Sequence, residues 1–427
     1  MATIGVALRS VKEQLDQYVD TRQIEQVCRD LGHRWRERVL GPATTVHLFL
    51  LQLLAGVALD KLRHLCKLPV TGEAIRVAKR RLPLKLLSEL VDRVRGPHES
   101  SSQWNGLQVF IADALSFWTE DTPQLSKKYG KGKNQRGTSG GRPLPKLLAT
   151  LDLNGGLIQK VLTLPWSRNE RTCLHRMLKV LPPLSILLGD RGLVGFAQVA
   201  LMAAAGVQAC LHLPRWLVVH GRGKGNHRRH KRLGRQDVLV RWRRDRRCAW
   251  MSKKRWNQLP QELVLRQVAF RILRPGYRPQ WAWIVTTLTD HRKYPARQLV
   301  ELYAKRWQVE VYFRDLKCTL KMGRPRAKDV AGVRKEVLAF VLLYNLVRQV
   351  MLRAARRQQV EPQRLSFSDV TTWLLWSAPG EALPDFTVNA RRARPTQPRA
   401  VKPARRRWPP MRQSRASLCK PRCHAKL

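Results

Sequence analysis

Two aspartates follow apolar runs. Asp113 comes after Leu107-Gln108-Val109-Phe110-Ile111-Ala112, and Asp190 after Leu187-Leu188-Gly189. Both runs read as strands, and the ends of strands in an α/β sheet are where sites form. Taken singly, each aspartate could equally be a helix N-cap or a turn residue. A third carboxylate, Glu310, lies in a stretch of helical periodicity from Gln298 to Leu320. Tyr303, Arg306, Glu310 and Lys317 stand there at offsets 0, 3, 7 and 14. At about 3.6 residues per turn they project within roughly 60° of each other. Apolar Leu302, Trp307 and Val311 flank that face and are expected to pack the helix beside it. A solvated Arg306–Glu310 pair at i,i+4 would explain two of these residues, but not the tyrosine or the tryptophan.

Three carboxylates from two strand ends and one helix could together hold two Mg²⁺ ions, with Mn²⁺ able to substitute. Mg²⁺ is a hard ion that takes oxygen ligands and keeps several waters. Two such ions, roughly 3.5–4 Å apart, clamp the attacking and leaving oxygens of an in-line phosphoryl displacement. Arg306 and Lys317 would hold flanking phosphates. The expected chemistry is phosphoryl transfer on a polyanion.

The charge of the chain agrees. Among 427 residues, 81 Lys and Arg face 30 Asp and Glu, for a formal net charge of +51. Such an excess implies nucleic acid as partner. Hydrophobic content of 44% supports a sizeable core. Eight scattered cysteines read as reduced thiols rather than a disulfide framework. No secretion signal is evident, and the longest apolar run, Val46 to Leu59, is too short to span a bilayer. The expectation is a cytoplasmic protein without a membrane segment.

The elements that must position the three carboxylates can be read along the chain. Residues 1–100 read as helices, with Ile24–Leu31, Val46–Leu59 and Leu84–Val94 at helical spacing. Thr71 to Arg81 carries Arg76, Lys79, Arg80 and Arg81 on a short helix. That is either the second helix of a helix-turn-helix or a basic helix packed on a bundle. Strands are expected at 107–112, 147–153, 157–164 (after an Asn-Gly-Gly turn), 185–189 and 207–213. A basic Gly-rich loop is expected at 127–142, and helices at about 169–180, 196–205 and 333–357. Residues 215–255 hold 16 Lys/Arg, two acids and interleaved Trp216, Trp242 and Trp250. We read 214–290 as a β-rich insertion into an α/β core. The basic segments 127–142 and 221–235 either track phosphates or are solvated loops. The last 37 residues hold 13 Lys/Arg, six prolines and no acid, a composition expected to be disordered. Cys419, Cys423 and His424 lack a second ligand pair for a zinc site.

The spacing of Tyr303, Arg306, Glu310 and Lys317 resembles the YREK signature of DDE transposases of the bacterial insertion-sequence-4 group. The segment Asp190-Arg191-Gly192-Leu193-Val194-Gly195-Phe196 is similar to that around the group's second aspartate. Tyr344-Asn345-Leu346 with Arg348 resembles a segment that follows the signature helix. The resemblance covers roughly residues 30–390. It implies a ribonuclease-H-like core with Asp113, Asp190 and Glu310 as the catalytic, metal-holding carboxylates. The separations of 77 and 120 residues leave room for the implied β-insertion. The resemblance assigns Tyr303 and Arg306 to the phosphates of the transposon end, and Lys317 to DNA beside the scissile bond. In members that form a hairpin at the transposon end, a flipped base meets a tryptophan. Trp283, which opens the apolar strand Trp283-Ile284-Val285-Thr286, is similarly placed; it also fits an ordinary core tryptophan. Ala114-Leu115-Ser116 after the first aspartate departs from many relatives.

The implied organisation begins with a helical DNA-binding domain (1–100). The first segment of the ribonuclease-H-like core (101–213) comes next, then a β-rich insertion (214–290). The second segment of the core with C-terminal helices (291–390) and a basic tail (391–427) complete the chain. The implied activity is cut-and-paste transposition: cleavage at terminal inverted repeats and strand transfer into target DNA, by a homodimer in the synaptic complex. Two other readings are a nuclease of the same fold without strand transfer, and an inactive DNA-binding protein derived from such an element.

Overall fold

A computed structural model of the chain describes residues 4–96, 103–133, 139–273 and 279–388. The basic tail at 391–427, with Cys419, Cys423 and His424, lies outside the described residues. The fold is mixed α/β. It opens with α1 (Ile4–Asp16), α2 (Thr21–Asp30), α3 (Pro42–Ala55), α4 (Leu59–Leu65), α5 (Gly72–Arg81) and α6 (Leu84–Arg95). Local chemistry sets several ends. Asp20 and Gln23 form a reciprocal capping box on α2. Pro42 opens α3, and Gly56, at φ +67°, closes it. Thr71 caps α5. On α5 the structure separates the four cations. Arg80 and Arg81 are exposed and Arg76 pairs with Glu73. Lys79 instead turns inward, with its ammonium 3.8 Å from the Phe49 ring centroid and 2.5 Å from Gln52 Oε1.

One large sheet follows. Its elements are β1 (Gln103–Trp104), β2 (Leu107–Ser116), α7 (Pro123–Tyr129), β3 (Lys131–Lys133), β4 (Ser139–Pro143), β5 (Lys146–Asp152), β6 (Ile158–Leu164), β7 (Ser185–Gly189), α8 (Phe196–Ala204), β8 (Val207–His212), β9 (Gly223–Lys224), β10 (His227–Gly234), β11 (Asp237–Arg243), α9 (Lys253–Asn257), β12 (Glu262–Ile272) and β13 (Gln280–Thr286). The chain then runs through α10 (Ala296–Ala304), α11 (Gln308–Arg314), α12 (Val330–Arg357) and α13 (Phe367–Trp376). Strand order is β6-β5-β2-β7-β8-β13-β12-β11-β10-β9, with β3 and β4 forming a separate pair. β2, β7 and β8 are parallel; β5 and β6 meander antiparallel on one side. The strands of 214–290 are not a separate layer: β13 pairs directly with β8, so they prolong the same sheet.

Three local expectations change. The segment 127–142 is not a plain loop; it holds the end of α7 and the β3–β4 pair, with 134–138 outside the described residues. Residues 169–180 form 3₁₀ turns, Glu170–Arg176 and Leu178–Val180, rather than an α-helix. Asn169 caps the first turn, and Pro182 and Pro183 stop continuation. The helix around Glu310 is not uniform. α10 and α11 are joined by a 3₁₀ turn at Lys305–Trp307, and α11 passes into a π-turn at Asp315–Thr319. The ideal-helix projection of Tyr303, Arg306, Glu310 and Lys317 is therefore distorted at both ends.

Alternation in the strands assigns the two faces of the sheet. Val109, Ile111, Ile186, Leu188 and Cys210 face a core shared with α3, α6, α11 and α12. Phe110, Ala112, Leu187, Ala209 and Leu211 face a second core beneath α8. Burial on both faces is what parallel strands require. α12 is long and apolar enough to cross a membrane, yet most of its apolar stretch is buried in the first core.

Candidate active site

The register of the parallel strands builds the site. Ala112 of β2 lies opposite Gly189 of β7, and Gly189 lies opposite Leu211 of β8. One residue further on, Asp113, Asp190 and His212 therefore stand in a row. By alternation with Ile111, Leu188 and Cys210 they point to the face covered by α10 and α11. Asp113 is not at the end of its strand, as its flanking run had suggested. β2 continues to Ser116 because β5 goes on pairing with it, Asp113 opposite Ala149. Asp190 does end β7. Its carboxylate caps the turn Arg191–Leu193 by accepting from the Arg191 N–H at 2.6 Å.

The two carboxylates sit in unlike surroundings. Burial pushes Asp113 up to about 6, against the Ala114 N–H and Arg306, which lower it; Asp190 and Glu170 add repulsion. Asp190 is held down at about 2, chiefly by His212, whose Nδ1 is 3.5 Å from Oδ1. Glu170 is itself tied to Lys146 at 3.1 Å.

The helix side contributes Arg306, whose guanidinium donates to Asp113 Oδ2 at 3.4 Å. Arg306 thus reaches Asp113 and not its i+4 neighbour Glu310. It lies 5.8 Å from the Tyr303 ring centroid and 5.2 Å from that of Trp307. Tyr303 packs against His212 and Phe270, ring centroids 6.2 and 6.3 Å away. Tyr303 and Arg306 are only 5% and 6% exposed, so both side chains are packed into the fold beside the aspartates. Lys317 reaches the far end of β2, its ammonium donating to the Ser116 carbonyl at 2.9 Å. Glu310 is exposed on α11, and among the described residues no group of three His, Cys, Asp or Glu closes into a metal cage. The structure thus unites Asp113, Asp190, Tyr303 and Arg306, with Lys317 at the end of β2, and leaves Glu310 outside the pair. Leu302 is buried as expected, whereas Trp307 and Val311 are 45% and 43% exposed.

The position of α11 is set by a remote clamp. Tyr312, two residues after Glu310, donates its hydroxyl to the Leu153 carbonyl at 2.7 Å. That carbonyl belongs to the turn between β5 and β6. From α12, Tyr344 donates to the Gly156 carbonyl at 3.0 Å and Arg348 to that of Gly155 at 2.7 Å. Asn345 accepts from the Ile158 N–H and donates to its carbonyl, at 2.9 and 3.0 Å, as a neighbouring strand would. Buried Asp152 accepts from the N–H groups of Gly155 and Leu157. The turn thereby ties the sheet to both helices. The Arg348 guanidinium also covers the Tyr312 ring, 5.0 Å from its centroid.

Trp283 does not open its strand. β13 starts at Gln280, and Trp283 lies within it, opposite Ala269. It is partly buried, with His220 edge-on at 6.1 Å. It lines a groove of about 890 Å³ together with Trp216, Trp281, Arg191 and His212. His212 and Glu170 were missed in the sequence. For His212 the signal existed: it ends a strand-like run as Asp190 does.

Comparison with known proteins places this arrangement. A family model described as "Transposase DDE domain" matches residues 104–346, more than half of the chain. The chain is 23% identical over 269 residues to the Escherichia coli (strain K12) transposase InsG for insertion sequence element IS4. It is 32% identical over 88 residues to the putative transposase InsZ of the same organism. These matches cover 62% and 21% of this chain, and 57% and 29% of those proteins, so the chain spans little more than half of the first relative. Among solved structures, the piggyBac transposase synaptic complex with hairpin DNA aligns over 88% of this chain and 80% of that one, at a TM-score of 0.42 and 8% identity. With its family model spanning both aspartates and Glu310, the chain belongs to the DDE-domain transposases.

Proposed function

We infer that this chain catalyses cut-and-paste DNA transposition: divalent-metal-dependent cleavage at transposon ends and strand transfer into target DNA. The observation that carries the reading is the pair Asp113 and Asp190, side by side on two adjacent parallel strands. They lie under a helix bearing Tyr303, Arg306, Glu310 and Lys317. The sheet order β6-β5-β2-β7-β8 supports a ribonuclease-H-like core, which β9 to β13 extend. In this reading residues 1–100 form a helical DNA-binding domain, 101–213 and 291–390 the core, and 214–290 the insertion.

The donor set fits a hard cation. Asp113 and Asp190 offer adjacent oxygen ligands, and burial disfavours the Asp113 charge more than the Ala114 N–H and Arg306 offset it. They would hold Mg²⁺, two ions in all with Mn²⁺ able to substitute, and Glu310 would be the third ligand from α11. Bound there, the metal supplies an activated oxygen nucleophile and charge neutralisation at the phosphate. The protein's role is positional. Arg306 orients Asp113, and His212 keeps Asp190 ionised. For Tyr303 and Arg306 to touch DNA, a backbone phosphate has to come up to the aspartates themselves. Lys317 stands at the end of β2 to meet the next phosphate. Trp283 offers one portion of an indole face to a base extruded from a hairpin end. The DNA partners are the terminal inverted repeats and the target. Two ends must be held together, so the working form is a homodimer.

The test uses purified protein, a labelled duplex carrying the flanking inverted repeat, and Mg²⁺, beside Glu310→Gln. Wild type should nick and join while the variant only binds. If both bind alike and neither cuts, the chain is a DNA-binding protein and the catalytic assignment is wrong.

A further inference from the structure

The groove lined by Arg191, His212 and Trp283 does not stop at that tryptophan. Register carries one face of the sheet outward. Val285 of β13 pairs with Gln267 of β12, Gln267 with Val238 of β11, and Val238 with Arg232 of β10. Leu265 pairs with Val240, and Val240 with Arg229. Paired residues share a face, so Arg229 and Arg232 stand on the face of Trp281 and Trp283. A second concavity, of about 350 Å³, is lined by Arg229, Arg232, Arg235, Trp281 and Trp283. It shares both tryptophans with the 890 Å³ groove at His212 and Arg191. The two join at these tryptophans into one track that runs from Arg191 and His212 to the arginines of β10.

The lining is aromatic between cations. Trp216 is 75% exposed and Trp281 46%, and the Arg271 guanidinium lies 5.7 Å from the Trp281 ring centroid. Among the described residues none of Arg191, Arg215, Arg229, Arg232 or Arg235 has a carboxylate partner. On the opposite face of β10, the Arg228 position pairs with Arg241, which is already engaged by Glu262 at 2.9 Å. Exposed indole faces offer nothing to a duplex, whose bases are stacked on each other. They suit unpaired bases, while the arginines suit the backbone of the same strand.

We propose that this track is a binding site for single-stranded DNA of a few nucleotides, with bases stacked on Trp216 and Trp281 and phosphates against Arg229, Arg232 and Arg235. It goes beyond the cleavage reading, because binding here needs neither metal nor Glu310.

The test is fluorescence anisotropy of a labelled oligothymidine of about eight nucleotides, with full-length protein in EDTA, beside a blunt duplex of unrelated sequence. Trp216→Ala and Trp281→Ala should each weaken oligothymidine binding roughly tenfold and leave duplex binding unchanged. Trp281→Phe should restore some of the loss. Arg229→Ala with Arg232→Ala should lower the slope of log affinity against log salt by about 1.4, at about 0.7 per phosphate on a single strand. The control, Arg228→Ala with Lys231→Ala on the other face of β10, should bind oligothymidine as wild type does. The proposal is overturned if the tryptophan variants bind it unchanged, or if the control loses as much as the Arg229, Arg232 pair. Failure of Mg²⁺-dependent cleavage with oligothymidine binding intact would count against the enzyme reading alone.

Discussion

Removing one hydroxyl tests whether the turn between β5 and β6 sets the catalytic geometry. Tyr312→Phe keeps the ring and its cover by Arg348 but deletes the 2.7 Å bond to the Leu153 carbonyl. A buried carbonyl left without that donor costs about 1–3 kcal/mol, so thermal unfolding should shift down by a few degrees. The effect on rate should be out of proportion. Glu310 is exposed and sits two residues from Tyr312 on the same short helix. How near it comes to the aspartates therefore depends on how α11 is docked. A misplacement of about 1 Å can cost on the order of 100-fold in rate. Single-turnover cleavage at saturating Mg²⁺ should fall at least about tenfold, while duplex affinity, read by anisotropy, stays as in wild type. If the melting temperature drops but cleavage remains near the wild-type rate, the tether stabilises the fold without positioning Glu310, and the reasoning is refuted.

The same clamp makes Gly156 intolerant. It has φ +69°, and a Cβ there would lie 2.8 Å from an Arg348 guanidinium nitrogen and 2.9 Å from the Tyr312 ring. Gly156→Ala should destabilise by about 2–4 kcal/mol through strain and overpacking together, measured by urea unfolding; a loss below about 0.5 kcal/mol would mean the turn is loosely held. Asp315, the buried first residue of the π-turn, is pushed up to about 6 by desolvation, against the lowering effects of Arg348 and Arg314. Since its folded pKa exceeds the ordinary 3.8, the folded state holds the proton longer than the unfolded chain. The carboxylate then lowers stability progressively as pH rises from 3.8 to about 6, and fully above that. Asp315→Asn should accordingly be more stable than wild type at about pH 7.5, by about 3 kcal/mol at most, and equal to it near about pH 3.5. Unfolding curves at the two pH values decide it: equal stability at both would show that Arg348 and Arg314 fully compensate the buried charge.

Much of the chemistry was local and therefore readable. Asp190 at the end of a strand-like run, the four residues on the helix from 298 to 320, and the Asn-Gly-Gly turn all follow from patterns within one element or one turn. Period 2 and period 3.6 announce themselves over a few residues, and so do caps and glycine stops. Even the dual nature of Asp190 was legible, since a strand-end aspartate caps the turn it enters. Other features depended on which strand lies next to which. Nothing local says that β8 follows β7 in the sheet, so His212 could not be set beside Asp190 from its own flanking residues. Nor could β13 be joined to β8, the pairing by which the strands of 214–290 extend the core sheet. Asp113 looked like a strand end because hydrophobicity stops there; pairing with β5 carries the strand on to Ser116 regardless. Tyr344, Asn345 and Arg348 were noticed only as a resemblance. Their hold on a turn far earlier in the chain exists only once α12 lies across the β5–β6 hairpin. Trp307 and Val311 read as packing residues because they are apolar, yet in the folded chain both are half-exposed. A side chain's face is set by its immediate neighbours, whereas what that face meets is set by long-range pairing, which only the folded chain supplies.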